Sequence, residues 1–217
     1  MFEGRNLLIA TQHGKEKIIA PIFEKEFGVT CIVNQLFNTD TLGTFSGEIE
    51  RKKDVIATLR QKCLSAVDHY KCDLVIASEG SFGAHPSVFF LPADEEHLML
   101  LDIKNNLEII ATELSTSTNF NGTYIATEQE LLEFSSNIQF PSHGLILKSD
   151  ENNFSKCCKG ITNEKELLIQ FNQIQKMFGK VFVETDMRAC FNPTRMKVIE
   201  KTAHKLVEKI HTKCPTC

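Results

Sequence analysis

The sequence predicts an α/β protein, a mixed twisted sheet with helices on both faces. Three observations predict it. Short apolar runs alternate with helix-period stripes at the start of the chain and again at its end. Between them lie two apolar runs joined by Asn105-Asn106, the pattern of a hairpin. The chain closes on a clean amphipathic stripe, Met196, Ile199, Ala203, Leu206, Val207 and Ile210.

Leu7 to Ala10 reads as a buried strand. Ile18, Ile19, Ile22, Phe23 and Phe27 follow at helical spacing, with Gly28 as the stop and Pro21 in the first turn or at a bend. Val29 to Val33 is a second strand, and the polar, glycine-bearing stretch 38–53 a loop. Asp54 caps a helix whose stripe is Val55, Leu59, Cys63, Ala66 and Tyr70. Asp73 to Ala77 is a strand running into a glycine-rich turn, Ser78 to Gly83. Val88 to Leu91 is a short apolar run closed by Pro92, and residues 97–103 and 107–114 form the hairpin. Helices are expected over 127–134 and 163–178, strands over 143–148 and 180–185, and a last helix capped by Asn192 with Pro193 at its first position. Residues 1–212 are read as one α/β domain and 213–217 as the start of a truncated Cys-rich tail.

The 217 residues suffice to bury a core without disulfide staples. A formal net charge of −4 supplies no global field for nucleic acid, which is disfavoured as a partner. No apolar run is long enough to span a bilayer, and the N-terminus lacks a basic region before an apolar one. The expected location is the cytoplasm, with no membrane partner. Of eight cysteines, Cys31, Cys63 and Cys72 fall in apolar patterns and read as small core residues.

In open α/β sheets ligands bind beyond the C-terminal ends of strands, and four polar segments fall at such ends. The first runs from Thr11 through His13 to Lys15 and Lys17 and opens a helix; it is either an anion site or a capped turn with solvated lysines. The second, Thr44 to Arg51, brings Glu48, Glu50 and Arg51 before a helix; it is either an oxygen-ligand set for Mg²⁺ or a solvated loop. The third, Ser78 to His85, puts Glu79, Ser81 and His85 after a buried strand, where a carboxylate needs a metal, a substrate or another partner. The fourth, Glu184 to Arg195, carries Asp186, Arg188 and Arg195; it is either a phosphate clamp or an internal ion pair with a helix cap. His143 reads as a hydrogen-bonded structural residue. Cys190 would need a lowered pKa to act as a nucleophile. Cys214 and Cys217 have the spacing of half a tetrahedral zinc site, with His211 and His204 upstream; a truncated or unfilled site is the reading favoured here.

The stretches GRNLLIATQHGKEKIIAP, GTFSGEIERK, DLVIASEGSFGAHPS, STSTNFNG, FPSHGLIL and VETDMRACFNPTRMKVIEK resemble an uncharacterised bacterial domain family, over nearly the whole chain. In that family a zinc-ribbon-like tail commonly follows the domain. More distantly, IATQHGK, TFSGEIER and IASEGSFG fall in the same order as in inosine and xanthosine triphosphate pyrophosphatases. His replaces the usual Asn in the first segment, and Glu79 stands where many relatives have Asp.

This similarity implies an ITPase-like fold, and the acidic and basic groups at the expected strand ends point to a Mg²⁺-dependent hydrolase of nucleoside triphosphates or related phosphorylated metabolites. Glu79 and Glu48 would hold the metal, with Asp186 a further catalytic carboxylate. Thr11, His13, Lys15, Arg51, Ser81, His85, Arg188 and Arg195 would contact substrate. The alternative is a non-enzymatic nucleotide-binding or protein-interaction module. A homodimer is left open.

Overall fold

The computed structural model describes residues 1–11, 13–33 and 54–212. Helices and strands mix as expected, and the strands divide between two sheets rather than one. The chain packs as two compact units, Met1–Ser81 with Asp94–Ser115 and Met196–Cys217, and Phe82–Ala93 with Thr116–Arg195.

The first unit is built on β1 (Asn6–Ala10), α1 (Glu16–Phe27), β2 (Thr30–Val33), α2 (Val55–Tyr70), β3 (Leu74–Ala84), β4 (Pro92–Asp102) and β5 (Leu107–Ser115). The five strands form one mixed sheet in the order β2-β1-β3-β4-β5. β1 pairs parallel with both β2 and β3, and β4 pairs antiparallel with β5. The hydrogen bond from Ile103 N to Asp73 O sets the end of β4 beside the start of β3.

Period-two alternation gives this sheet two buried faces. Leu8, Ala10, Val75, Ala77, Met99 and Leu101 pack against Leu59, Cys63 and Ala66 of α2. Leu7, Ile9, Leu74, Ile76, Leu98 and Leu100 face the other way and are as deeply buried. α1 packs on β1 and β2. The last helix, α5 (Pro193–His211), runs beside β5: Lys209 Nζ donates to Ile110 O at 2.7 Å, and Lys205 pairs with Glu113. The expected caps are present. Asp54 accepts from Ala57 N, and Gly28 ends α1 in the left-handed region, where glycine costs least.

The second unit holds β6 (Gly122–Ile125), α3 (Glu128–Asn137), β7 (Leu145–Asp150), β8 (Asn153–Ile161), α4 (Glu164–Phe178) and β9 (Val181–Thr185). Its antiparallel sheet has the order β6-β9-β7-β8. Leu131 and Phe134 of α3 and Leu167, Phe171 and Ile174 of α4 close its core over Leu145, Leu147, Val181 and Val183.

One expectation for the backbone is corrected, and further elements are added. Ser78 to Gly83 is strand, not turn: β3 runs on to Ala84 as the neighbour of β4, with Ser78 and Glu79 still buried. The short apolar run Val88 to Leu91 forms a turn, closed by Val88 N to His85 O and Leu91 N to Val88 O. β6 and β8 were not anticipated. β8 is an edge strand with register shifts against β7, so it lacks a clean apolar alternation.

Candidate functional site

The polarity of the first unit's sheet changes along its strands. Leu7–Ala10, Leu74–Ala77 and Leu98–Leu101 are all buried and apolar. Where β1 and β3 end and β4 begins, the buried side chains become polar or ionisable: Thr11, Lys15, Ser78, Glu79, Asp94, Glu96 and His97. Such groups are costly to bury and concentrate where chemistry or binding is carried out.

On the face covered by α1, the chain leaves β1 and turns through His13 and Gly14, both at positive φ. This short turn brings Lys15 back over the strand ends. Lys15 is only 4% exposed, and its Nζ donates to Ser78 Oγ at 2.9 Å. Thr11 Oγ1 lies 3.3 Å from the same hydroxyl. By the alternation of β4, and its pairing of Glu96 with Glu113, the fully buried Asp94 and Glu96 share this face.

On the face covered by α2, Glu79 is ion-paired with Lys62, and both side chains are buried. Lys62 sits in the helix's inward stripe, between Leu59 and Ala66. His97 follows on β4: Nδ1 is 2.9 Å from Thr112 Oγ1, and Nε2 is 3.5 Å from a Glu95 carboxylate oxygen.

The structure thus brings Thr11, His13, Lys15 and Glu79 to one end of one sheet. Ser81 lies on β3 just beyond them. Glu48, Arg51, Cys214 and Cys217 lie outside the described residues. Lys62, Ser78, Asp94, Glu96 and His97 were not singled out by sequence. Lys62 had a signal, a lysine on an apolar helical stripe. Asp94 and Glu96 had none, since ADEEH reads as solvated.

The remaining candidates belong to the second unit. Asp186 is fully buried and accepts from Gly160 N at 3.0 Å and Arg188 N at 3.1 Å, and it pairs with the Arg188 guanidinium at 2.5 Å. Arg188 also lies over the Phe191 ring at 4.6 Å. Arg195 is fully buried, donates to Met187 O and lies 5.0 Å from the Phe82 centroid. His85 Nδ1 accepts from Ser87 N and Val88 N, each at 3.2 Å, so this histidine holds a turn. His143 bridges Ser142 Oγ at 3.0 Å and Thr194 Oγ1 at 2.9 Å, fixing the start of α5.

Among the described residues, no three His, Cys, Asp or Glu side chains gather to hold a metal ion. The described residues also include no helix long and apolar enough to cross a membrane. No curated protein matches the chain. A family model, Domain of unknown function (DUF6671), matches residues 62–217, more than half of the chain, and takes in Lys62, Ser78, Glu79, Asp94, Glu96 and His97. The chain therefore belongs to the DUF6671 family.

Proposed function

We propose that the first unit binds a small phosphorylated metabolite at the ends of β1 and β3 and hydrolyses it, with nucleoside triphosphates as the leading class. The observation that carries this reading is the concentration of buried ionisable groups there, at the carboxyl ends of parallel strands. Lys15 is the cation that meets phosphate. It precedes α1, whose dipole places partial positive charge at that end. Thr11 and Ser78 orient the Lys15 ammonium, and Lys62 holds Glu79 in place. The order of IATQHGK, TFSGEIER and IASEGSFG, shared with inosine and xanthosine triphosphate pyrophosphatases, supports the same class.

Mg²⁺ belongs to this reading as the ion that would neutralise phosphate charge. The described residues do not by themselves form a cage for it, and the Glu79 carboxylate is engaged by Lys62. The same engagement favours a second reading, a nucleotide-binding module without turnover.

The test is release of phosphate and pyrophosphate from standard and deaminated nucleoside triphosphates, with and without Mg²⁺, by wild type and K15M. Metal-dependent release lost in a folded K15M supports the hydrolase. No release, but a thermal shift with nucleotide that K15M abolishes, selects the binding module. Neither response from folded wild type overturns both.

A further inference from the structure

The second unit carries a groove of about 570 Å³ on the scale of small-molecule sites. Phe89, Phe90, Phe120 and Phe182 supply its aromatic walls, and Glu151 and Glu184 its charged groups. Its lining contains two carboxylates and no lysine or arginine. Phe89 and Phe90 are 79% and 84% exposed, an arrangement that water disfavours.

These rings are not on a loose loop. His85 N bonds Leu91 O at 2.8 Å, and the His85 ring accepts two backbone N–H groups of the same turn. Phe120 is tilted against Phe82 at 5.8 Å. Gly122 lets β6 approach β9, since a Cβ there would lie 2.9 Å from the Phe182 ring. The groove is therefore preorganised.

Electrostatics selects the occupant. Phenyl faces and carboxylates both attract cations, and both disfavour phosphate. The protein already uses this chemistry beside the groove. Lys148 Nζ lies 5.1 Å from the Phe182 centroid and 3.0 Å from Glu184 Oε1, and donates to Glu151 O at 2.7 Å. Burial raises the Glu184 pKa, and the charges of Asp186 and Glu151 raise it further, against the opposing pull of Lys148. Asp186 is itself answered by Arg188. A second cation in the groove would meet the remaining carboxylate, Glu151.

We infer that this groove binds a small organic cation, an ammonium or guanidinium carried on an apolar or aromatic body. The test uses phenethylammonium, with 2-phenylethanol and 3-phenylpropionate as neutral and anionic probes of similar body. Binding is followed by calorimetry and by chemical-shift changes on the full chain. Phenethylammonium should bind at least tenfold more tightly than either control, weaken as salt is raised, and weaken several-fold in E151Q. F89A/F90A, changed at two exposed turn positions, should lose the binding while keeping the wild-type melting temperature. Equal binding of 2-phenylethanol would overturn the proposal, as would no binding by folded wild type at 10 mM probe. Concentration-dependent dimerisation that F89A/F90A abolishes would also overturn it, by assigning the phenylalanines to a second copy of the chain. The failure of this groove leaves the phosphate reading untouched, since that reading rests on Lys15.

Discussion

The Lys15 ammonium donates to the Ser78 hydroxyl at 2.9 Å, at the carboxyl end of the ladder that pairs β1 with β3. The contact holds a buried cation beside the end of the parallel ladder. K15M keeps the length of the side chain and removes its charge. In folded protein it should reduce nucleotide binding or turnover about 100-fold or more, the scale of one lost charge-assisted contact in a dry site. A K15M protein that binds and turns over like wild type would remove Lys15 from the site.

Lys62 and Glu79 make a buried ion pair between α2 and β3. Removing one partner strands the other charge, which typically costs about 3–5 kcal/mol, whereas replacing both by apolar groups is often neutral. E79Q and K62M should each show a large loss of stability in urea, and K62M/E79L should recover most of it. The double-mutant cycle measures the coupling. Additive losses would mean that the two side chains act independently.

Much of this architecture was legible in the sequence, and the reasons are local. Asp54, Asn163, Thr127 and Asn192 stand where helices begin, and each has the side chain that satisfies a free backbone N–H. The stripe of α5 and the apolar runs of β1, β7 and β9 carried their own periodicity. The site was legible in part. Thr11, Lys15 and Glu79 lie next to apolar runs, where a polar residue stands out. Asp94 and Glu96 do not, because their burial comes from packing that no window of ADEEH encodes. For the same reason Arg188 and Arg195 read equally as a phosphate clamp or as part of an internal ion pair with a helix cap. In the second unit Arg188 pairs with Asp186, which also accepts from the Gly160 N–H.

Cysteine reactivity should follow burial. The Cys63 thiol lies within the core against Leu59 and Ala66, and desolvation is the main cause pushing its pKa up to about 12. Cys31 is likewise pushed up to about 12, chiefly by burial and then by Glu24. The thiolate is the reactive form, so both should resist iodoacetamide at pH 8. Cys190 is exposed and should be alkylated well before either. Mass spectrometry of timed digests reads the order. Early labelling of Cys63 in folded protein would contradict the packing of α2 on the sheet.

Arg5 reaches Asp102 with two hydrogen bonds, Nη1 to Oδ2 at 2.7 Å and Nη2 to Oδ1 at 2.8 Å. Burial works against ionisation of the Asp102 carboxyl, but the bonds from Arg5 and Asn105 outweigh it and hold its pKa below the ordinary range. A carboxyl whose native pKa is depressed contributes stability that is present above its unfolded value, about 3.9, and is lost as pH falls through the native value. Asp102 therefore steepens acid unfolding below about pH 4. D102N should lower stability at pH 7 by roughly 3 kcal/mol, since the Arg5 charge loses its fully buried partner and keeps only the more exposed Asp73, 3.1 Å away. The gap between variant and wild type should then narrow as the pH is lowered through this window. Urea unfolding at a series of pH values measures both effects, and a gap that stays constant with pH would show that Asp102 is not ionised in the native protein.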